Sequence, residues 1–331
     1  MGGKPYEQKP ANPSGLRTAI IAVGVCVVTM AGCGSAANPE PSTSPAAAPS
    51  PELTTPSPPP ALTPTAYQEK LRDASSALAP AFAHLGAAAS LEDARAALDQ
   101  TSSAASEAAR LLNVDPPADV LTAHRDLLAG LRRLATDMSV LSGQVESMEL
   151  CAMPSVLPSV SNATGVNSLR TVRDELRSGR LGPSYQWGEF LPAPTPLPER
   201  RLANGRLVDN QRRNGRGQLK IDNSAEHDAV VKLVQGGRPI VSVYVRQNSK
   251  TTVEQISDGN YELFYTSGTD WDDRLRTFTR SCQFQRFEQT ANFSTTSVRG
   301  GIQYTVQSVG LKPRIGGNAR TEKIPAQSFP R

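Results

Sequence analysis

Hydrophobic and polar positions are arranged in four different ways along this chain. Thr18 to Gly32 (TAIIAVGVCVVTMAG) is an uncharged run of 15 residues. Asn38 to Pro64 is built from Pro, Ser, Thr and Ala with almost no large apolar side chain. From Thr65 to about Met153 the apolar residues recur at spacings of three and four, and from about Arg201 onward the period is two. These two periods belong to helix faces and to strand faces respectively.

In the helical stretch, Tyr67, Leu71, Ala74, Leu78, Phe82 and Leu85 fall on one face, and Leu91, Ala94, Leu98, Ala105, Ala108, Leu111 and Leu112 on a second. The longest stripe follows Asp115-Pro116-Pro117 and runs from Leu121 through His124, Leu127, Leu131, Leu134, Met138 and Leu141 to Met148. Thr65 with Gln68 and Ser90 with Asp93 have the spacing of capping boxes and predict two helix starts. Pro80 should kink the first helix, since it lacks a backbone donor and crowds the preceding turn. Three helices of this kind predict an antiparallel bundle. Leu169, Val172 and Leu176, with a stop at Gly179, predict a shorter fourth helix.

Residues 181–200 are Pro-rich but contain Tyr185, Trp187 and Phe190, which are large and apolar enough to require docking on a neighbouring domain. Beyond them Leu219 and Ile221, Val230 to Val234, and Ile240 to Val245 read as strands. Asn204-Gly205, Asn214-Gly215, Gly236-Gly237 and Asp258-Gly259 are turn signals between runs of this type. Further strands fit Phe284 to Phe287, Phe293 to Val298 and Ile302 to Leu311. The predicted fold class is therefore α+β and multidomain, an antiparallel helical bundle (65–180) followed by an all-β antiparallel sandwich (201–331), with a connector at 181–200.

The N-terminal run changes the picture from a free protein to an exported one. Lys4, Lys9 and Arg17 precede an apolar run shorter than the roughly 20 residues that span a bilayer. Such a run has the length of a signal-peptide core. It ends in Met30-Ala31-Gly32-Cys33, the pattern of a lipobox, in which small residues precede a Cys that is diacylated on sulfur and becomes the new N-terminus. The reading divides the segment into a signal peptide (1–32) and a lipidated Cys33 with a disordered Pro/Ser-rich tether (33–64). An ordinary secretory cleavage near Ala31 or Gly32, or an uncleaved anchor, are the other readings. At roughly 3 Å per residue, an extended tether would hold the folded part some tens of ångströms from the bilayer.

Charge and cysteine content narrow the function classes. A net charge of +4 spread over 331 residues is too weak a bias to indicate a nucleic-acid partner. Of the four cysteines, Cys26 lies within the signal and Cys33 takes lipid, so Cys151 and Cys282 are left to pair with each other in an oxidising compartment. A bridge closing a loop of roughly 130 residues would contribute about 4 to 5 kcal/mol in the chain-entropy model. Two unpaired buried thiols, or pairing with another chain, are the alternatives. The cysteines lack the CxxC or neighbouring His of a zinc site, so no metal and no cofactor is expected there.

The histidines, His84, His124 and His227, do not form a catalytic arrangement, and the chain contains no GxSxG, HExxH or phosphate-binding glycine loop. The densest polar group is Thr266-Ser267-Gly268-Thr269-Asp270-Trp271-Asp272-Asp273. Asp270, Asp272 and Asp273 around Trp271 could take Ca²⁺ through oxygen ligands, or offer the indole to a sugar face. A capped turn with Trp271 packed over the sandwich end is the structural reading, with Arg274, Arg276 and Arg280 as partners for the carboxylates.

TMAGC, the Pro/Ser tether, the PPADV…H…L segment from Pro116 to Leu131, and the C-terminal motifs VYVR, SDGNYELFY and SGTDWD together resemble the uncharacterised surface lipoproteins of high-GC Gram-positive bacteria. The resemblance spans nearly the whole chain and implies a location, lipid-anchored on the extracytoplasmic face of the cell membrane, and an architecture. It brings no catalytic residues. The expectation is a non-catalytic binding or scaffolding protein of the cell envelope, anchored in the membrane by lipid. The alternative is a wall polysaccharide or peptidoglycan-binding module centred on Asp270, Trp271 and Asp272. Its expected partners are the membrane, a cell-wall glycan or another envelope protein.

Overall fold

Among the described residues, helices come first. In the computed structural model, which describes residues 61–331 apart from 181, 212 and 313–319, they are α1 (Pro64–Ala87), α2 (Leu91–Leu111), α3 (Leu121–Glu146), α4 (Met153–Ser161) and α5 (Thr164–Arg177). The expected export signal, Cys33 and nearly all of the tether lie outside the described residues.

The start of α1 differs from expectation. Thr63, not Thr65, is the cap: its hydroxyl accepts from the Ala66 N–H at 3.3 Å, and Pro64 occupies the first turn. A proline there loses no helical hydrogen bond, because the first N–H groups have no partner inside the helix. α1 also continues through Pro80. At α2 the expected capping box forms in full, with Asp93 N–H on the Ser90 hydroxyl and Ser90 N–H on the Asp93 carboxylate.

α2 packs against both α1 and α3, and α5 lies on α3. The short connections make successive neighbours antiparallel. The close approach of α5 depends on Gly165, where a Cβ would fall 2.4 Å from the Leu134 backbone nitrogen. The faces identified from spacing supply the core: Tyr67, Leu71, Leu98, Leu127, Leu131 and Met138 are all buried in it. α4 was not expected, because Pro154 and Pro158 look like breakers. Pro154 sits in the first turn, where it is tolerated, and the helix continues through Pro158. The connector docks as anticipated, and it does so on the helical half: Tyr185, Trp187 and Leu191 enter that core, with Tyr185 edge-on to Tyr67 at 5.2 Å.

Among the described residues twelve strands follow: β1 (Leu207–Asn210), β2 (Gly217–Asn223), β3 (Asp228–Gln235), β4 (Arg238–Val245), β5 (Ser249–Ile256), β6 (Gly259–Asp272), β7 (Thr277–Phe287), β8 (Ala291–Phe293), β9 (Thr295–Val298), β10 (Gly301–Tyr304), β11 (Val306–Gly310) and β12 (Thr321–Lys323). A seven-stranded sheet runs β1-β4-β3-β6-β7-β12, with β8 beside β6, and a three-stranded sheet runs β11-β2-β5. β9 and β10 form a separate ribbon. The result is an α+β arrangement of helices followed by a β-sandwich. Its described strand pairs are antiparallel apart from β2 with β11, which run parallel. Gly236 and Gly237, at φ 58° and 74°, make the two-residue turn between β3 and β4, a conformation that glycine adopts without strain. Leu219, Ile221, Val231, Leu233, Tyr265 and Phe287 fill the space between the sheets.

The link between α3 and α4 runs along β7 like an additional strand. Cys151 N–H donates to the Thr279 carbonyl at 2.9 Å, Cys282 N–H to the Met148 carbonyl at 3.0 Å, and Leu150 bridges Arg280. The Cys151–Cys282 disulfide closes this junction across 131 residues. The expected internal bridge is thus present, and it ties the helical half to the sandwich.

Candidate functional site

Asp270, Trp271 and Asp272 do not form an exposed loop. They are the last residues of β6, and Trp271 is packed inside, the arrangement of the structural reading rather than of an open ligand loop. Trp271 is 1% exposed, with Phe278 at 5.1 Å and Tyr244 at 6.1 Å against it, both near edge-on. Its Nε1–H donates to Asp273 Oδ1 at 3.2 Å. No indole face is left for a sugar.

The carboxylates are engaged as well, though not by the expected arginines. Asp270 sits at φ 59°, in the left-handed region, next to an irregularity in the β6–β7 register between Ser267 and Thr269. This turn aims its carboxylate at Arg200, 70 residues earlier. Arg200 Nε donates to Oδ1 at 2.8 Å and Nη2 to Oδ2 at 2.7 Å, while the Arg200 backbone N–H donates to Oδ1 at 2.8 Å and the Thr279 hydroxyl to Oδ2 at 2.6 Å. The remaining guanidinium nitrogen of Arg200 reaches Asp272 Oδ2 at 2.8 Å, and Asp272 Oδ1 accepts from the Arg274 and Leu275 N–H groups. Of the arginines expected to serve here, Arg276 pairs with Asp209 and Arg280 donates to the Pro198 carbonyl. Burial alone would raise the Asp270 carboxyl, but the bonds from Arg200 and Thr279 outweigh it and hold it below its ordinary 3.8. Asp272 is likewise held down against its burial by the Leu275 N–H and by Arg200.

Arg201 repeats the arrangement on the neighbouring strand. Its guanidinium takes Asp228 two-pronged, at 2.7 and 2.6 Å, and Asp228 also accepts from the Tyr244 hydroxyl and the Gln247 N–H. Adjacent arginines therefore fasten the end of the connector to two different strands. The sequence reading missed both; the Arg200-Arg201 doublet closing a Pro-rich segment was the available signal. A bidentate arginine held by a buried carboxylate is suited to fixing geometry, not to exchanging protons or coordinating a cation. Among the described residues no group of His, Cys, Asp and Glu side chains is placed to hold a metal ion.

The histidines are dispersed. His124, 3% exposed, faces Tyr67 across the bundle core with Nδ1 and the phenol oxygen 3.1 Å apart. Burial lowers its pKa from the ordinary 6.5. His84 bonds Gln100 on the surface, and His227 lies beside the junction.

Two hollows remain. One, of about 490 Å³, lies where the end of α3 meets β7 and residues 323–327, and is lined by Met148, Glu149, His227 and Phe284. The other, of about 690 Å³, opens between the two sheets, with Ile221, Leu263, Phe287 and Val309 among its lining and Lys312 and Arg320 also bordering it. A volume of this size falls within the roughly 300 to 1,000 Å³ usual for small-molecule sites. No described helix is long and apolar enough to cross a membrane. Comparison with protein families, with curated proteins and with solved structures finds no match to this chain.

Proposed function

We propose that this chain is an exported lipoprotein, held on the extracytoplasmic face of the cell membrane by acyl groups on Cys33, and that it works as a non-catalytic binding protein of the envelope. One observation carries the reading: the chain has four cysteines, and the two beyond the N-terminal segment are bonded to each other as Cys151–Cys282. Structural disulfides persist in oxidising compartments outside the cytoplasm. The other two, Cys26 and Cys33, fall in an apolar run and at its lipobox-like end. A binding role without catalysis is supported by the buried carboxylates Asp228, Asp270 and Asp272, each of which is engaged by an arginine. A glycan partner would need a surface other than Trp271.

Fractionation of cells expressing the full chain tests the anchor. The wild-type protein should be found with membranes, extractable by detergent and labelled by a fatty-acid probe. Cys33→Ala should lose the label and either leave the membrane or accumulate as unprocessed precursor. Processing, labelling and membrane association that are unchanged in Cys33→Ala would overturn the reading.

A further inference from the structure

The ribbon of β9 and β10 is held firmly at its root and by little beyond it. Thr295 donates its N–H and its hydroxyl to the Asp258 carboxylate, both at 2.8 Å, and the Thr305 N–H donates to the Ser294 carbonyl at 3.1 Å. Phe293, just before the ribbon, is buried against Tyr261. Past this root, β9 and β10 pair only with each other among the described strands. All of β10 and most of β9 are exposed. A two-stranded ribbon by itself is marginally stable in water.

The tip of the ribbon is apolar on both sides. Val298 and Ile302 are each 47% exposed, with Tyr304 and Val306 at 43% and 45%. Residues directly opposite in an antiparallel pair share a face. Ile302 lies opposite Ser297, and Val298 opposite Gly301, so Val298 and Ile302 fall on different faces of the ribbon. The turn between them holds Arg299, which is exposed, and Gly300 at φ 100°. Residues 289–310 include no Asp or Glu, and Arg299 is their one charged side chain.

A protein groove covers one face of a ribbon. Apolar side chains on both faces of a tip, around a cation, match a medium that surrounds the tip. The interface of an anionic bilayer is such a medium: it takes aliphatic and tyrosine side chains at headgroup depth and attracts arginine. About 30 residues lie between Cys33 and α1, a reach of up to roughly 100 Å for fully extended chain. An anchor at Cys33 therefore leaves the hairpin free to meet the bilayer that holds it.

We propose that the β9–β10 hairpin is a membrane-contact element, in which Val298 and Ile302 enter the interface of an anionic bilayer, Tyr304 lies at headgroup level and Arg299 pairs with lipid phosphate. The inference deepens the lipoprotein reading and rests on it for location. The test uses the full chain on vesicles of phosphatidylcholine and phosphatidylglycerol, with or without bromine on the acyl chains as a fluorescence quencher. Trp187 and Trp271 are buried and give a constant background. Ile302→Trp should be quenched by the brominated chains about threefold more than Val140→Trp, which places the same reporter at an exposed position of α3. Adding Arg299→Glu to Ile302→Trp should remove about half of that quenching or more. The proposal is overturned if the two reporters are quenched equally or not at all, or if Arg299→Glu changes nothing. It is also overturned if the Ile302→Trp emission shifts to the blue with rising protein concentration in the absence of vesicles, since a second copy of the chain then covers the hairpin. When quenching is absent, flotation of the chain with the vesicles separates failure of the hairpin alone from failure of the anchor as well.

Discussion

Arg200 and Asp270 form a two-pronged ion pair, Nε to Oδ1 at 2.8 Å and Nη2 to Oδ2 at 2.7 Å, that fastens the end of the Pro-rich connector to the last turn of β6. Removing the arginine leaves the Asp270 carboxylate buried with only the Thr279 hydroxyl and one backbone N–H for partners. Breaking a buried pair by deleting one member costs about 3 to 5 kcal/mol, less where one partner reaches solvent. The Arg200 side chain is 44% exposed, so Arg200→Ala should lower stability by about 2 to 3 kcal/mol. Urea unfolding measures this directly, and a loss below about 0.5 kcal/mol would show that the pair is energetically idle.

Trp271 separates a core role from a ligand role. With its indole enclosed by Tyr244 and Phe278, Trp271→Ala should cost about 3 to 5 kcal/mol in stability. Trp271→Phe, which retains most of the buried area, should cost less and leave sedimentation with purified cell wall unchanged. Loss of wall binding in a folded Trp271→Phe protein would restore the sugar-site interpretation.

The Cys151–Cys282 bridge spans 131 residues. Constraint of so long a loop contributes about 4 to 5 kcal/mol in the chain-entropy model. Replacing both cysteines by serine should lower the urea midpoint accordingly. Free-thiol labelling of the denatured, unreduced protein should find neither Cys151 nor Cys282; two reactive thiols at these positions would contradict the bridge.

Stability should fall on acidification in two stages. His124 is buried with its pKa depressed below 6.5, so the unfolded chain binds its proton more readily than the folded one. Stability tied to this residue is complete above 6.5 and is lost as pH falls from there to the folded-state value. The carboxyls of Asp228, Asp270 and Asp272 are held below 3.8. Their contribution is present above 3.8 and is lost only as pH falls through their lower folded values. His124→Gln should therefore flatten the stability profile between pH 7 and 5 while leaving the drop below pH 4. An unchanged slope between pH 7 and 5 in that variant would exclude His124 as its source.

Lys232 is 2% exposed, with its ammonium donating to the Pro330 carbonyl at 2.8 Å and lying 5.2 Å from the Phe329 ring centroid. Burial pushes its pKa down to about 8. The folded state thus disfavours the charged amine, and stability linked to Lys232 should rise as pH increases from about 8 to 10.5. Lys232→Met should be neutral or stabilising by about 1 kcal/mol at pH 7, since a well-packed apolar group replaces a desolvated charge. Clear destabilisation by Lys232→Met would mean that the bond to Pro330 outweighs the burial cost.

Helix faces and strand faces were legible because burial imposes its period on the sequence. Tyr67 to Leu85, the Ser90–Asp93 box and the strands around Val230 and Val243 all stand where spacing put them. α4 was hidden by Pro154 and Pro158, which signal interruption unless the position within the helix is known. The candidate site stayed open between two readings for a similar reason. A Trp among aspartates has the same local sequence whether it is open to solvent or closed under Tyr244 and Phe278.

By itself, the sequence determined the order of helices and strands, the apolar faces that had to be buried, and the pair of cysteines available to bridge. Those properties are local, or follow from composition. Only the tertiary structure decided that Arg200 rather than Arg274 answers Asp270, that β11 joins β2 in parallel, and that the link after α3 pairs with β7. Each of these joins residues far apart in the chain, and a periodic pattern states which face is apolar without stating which partner will cover it.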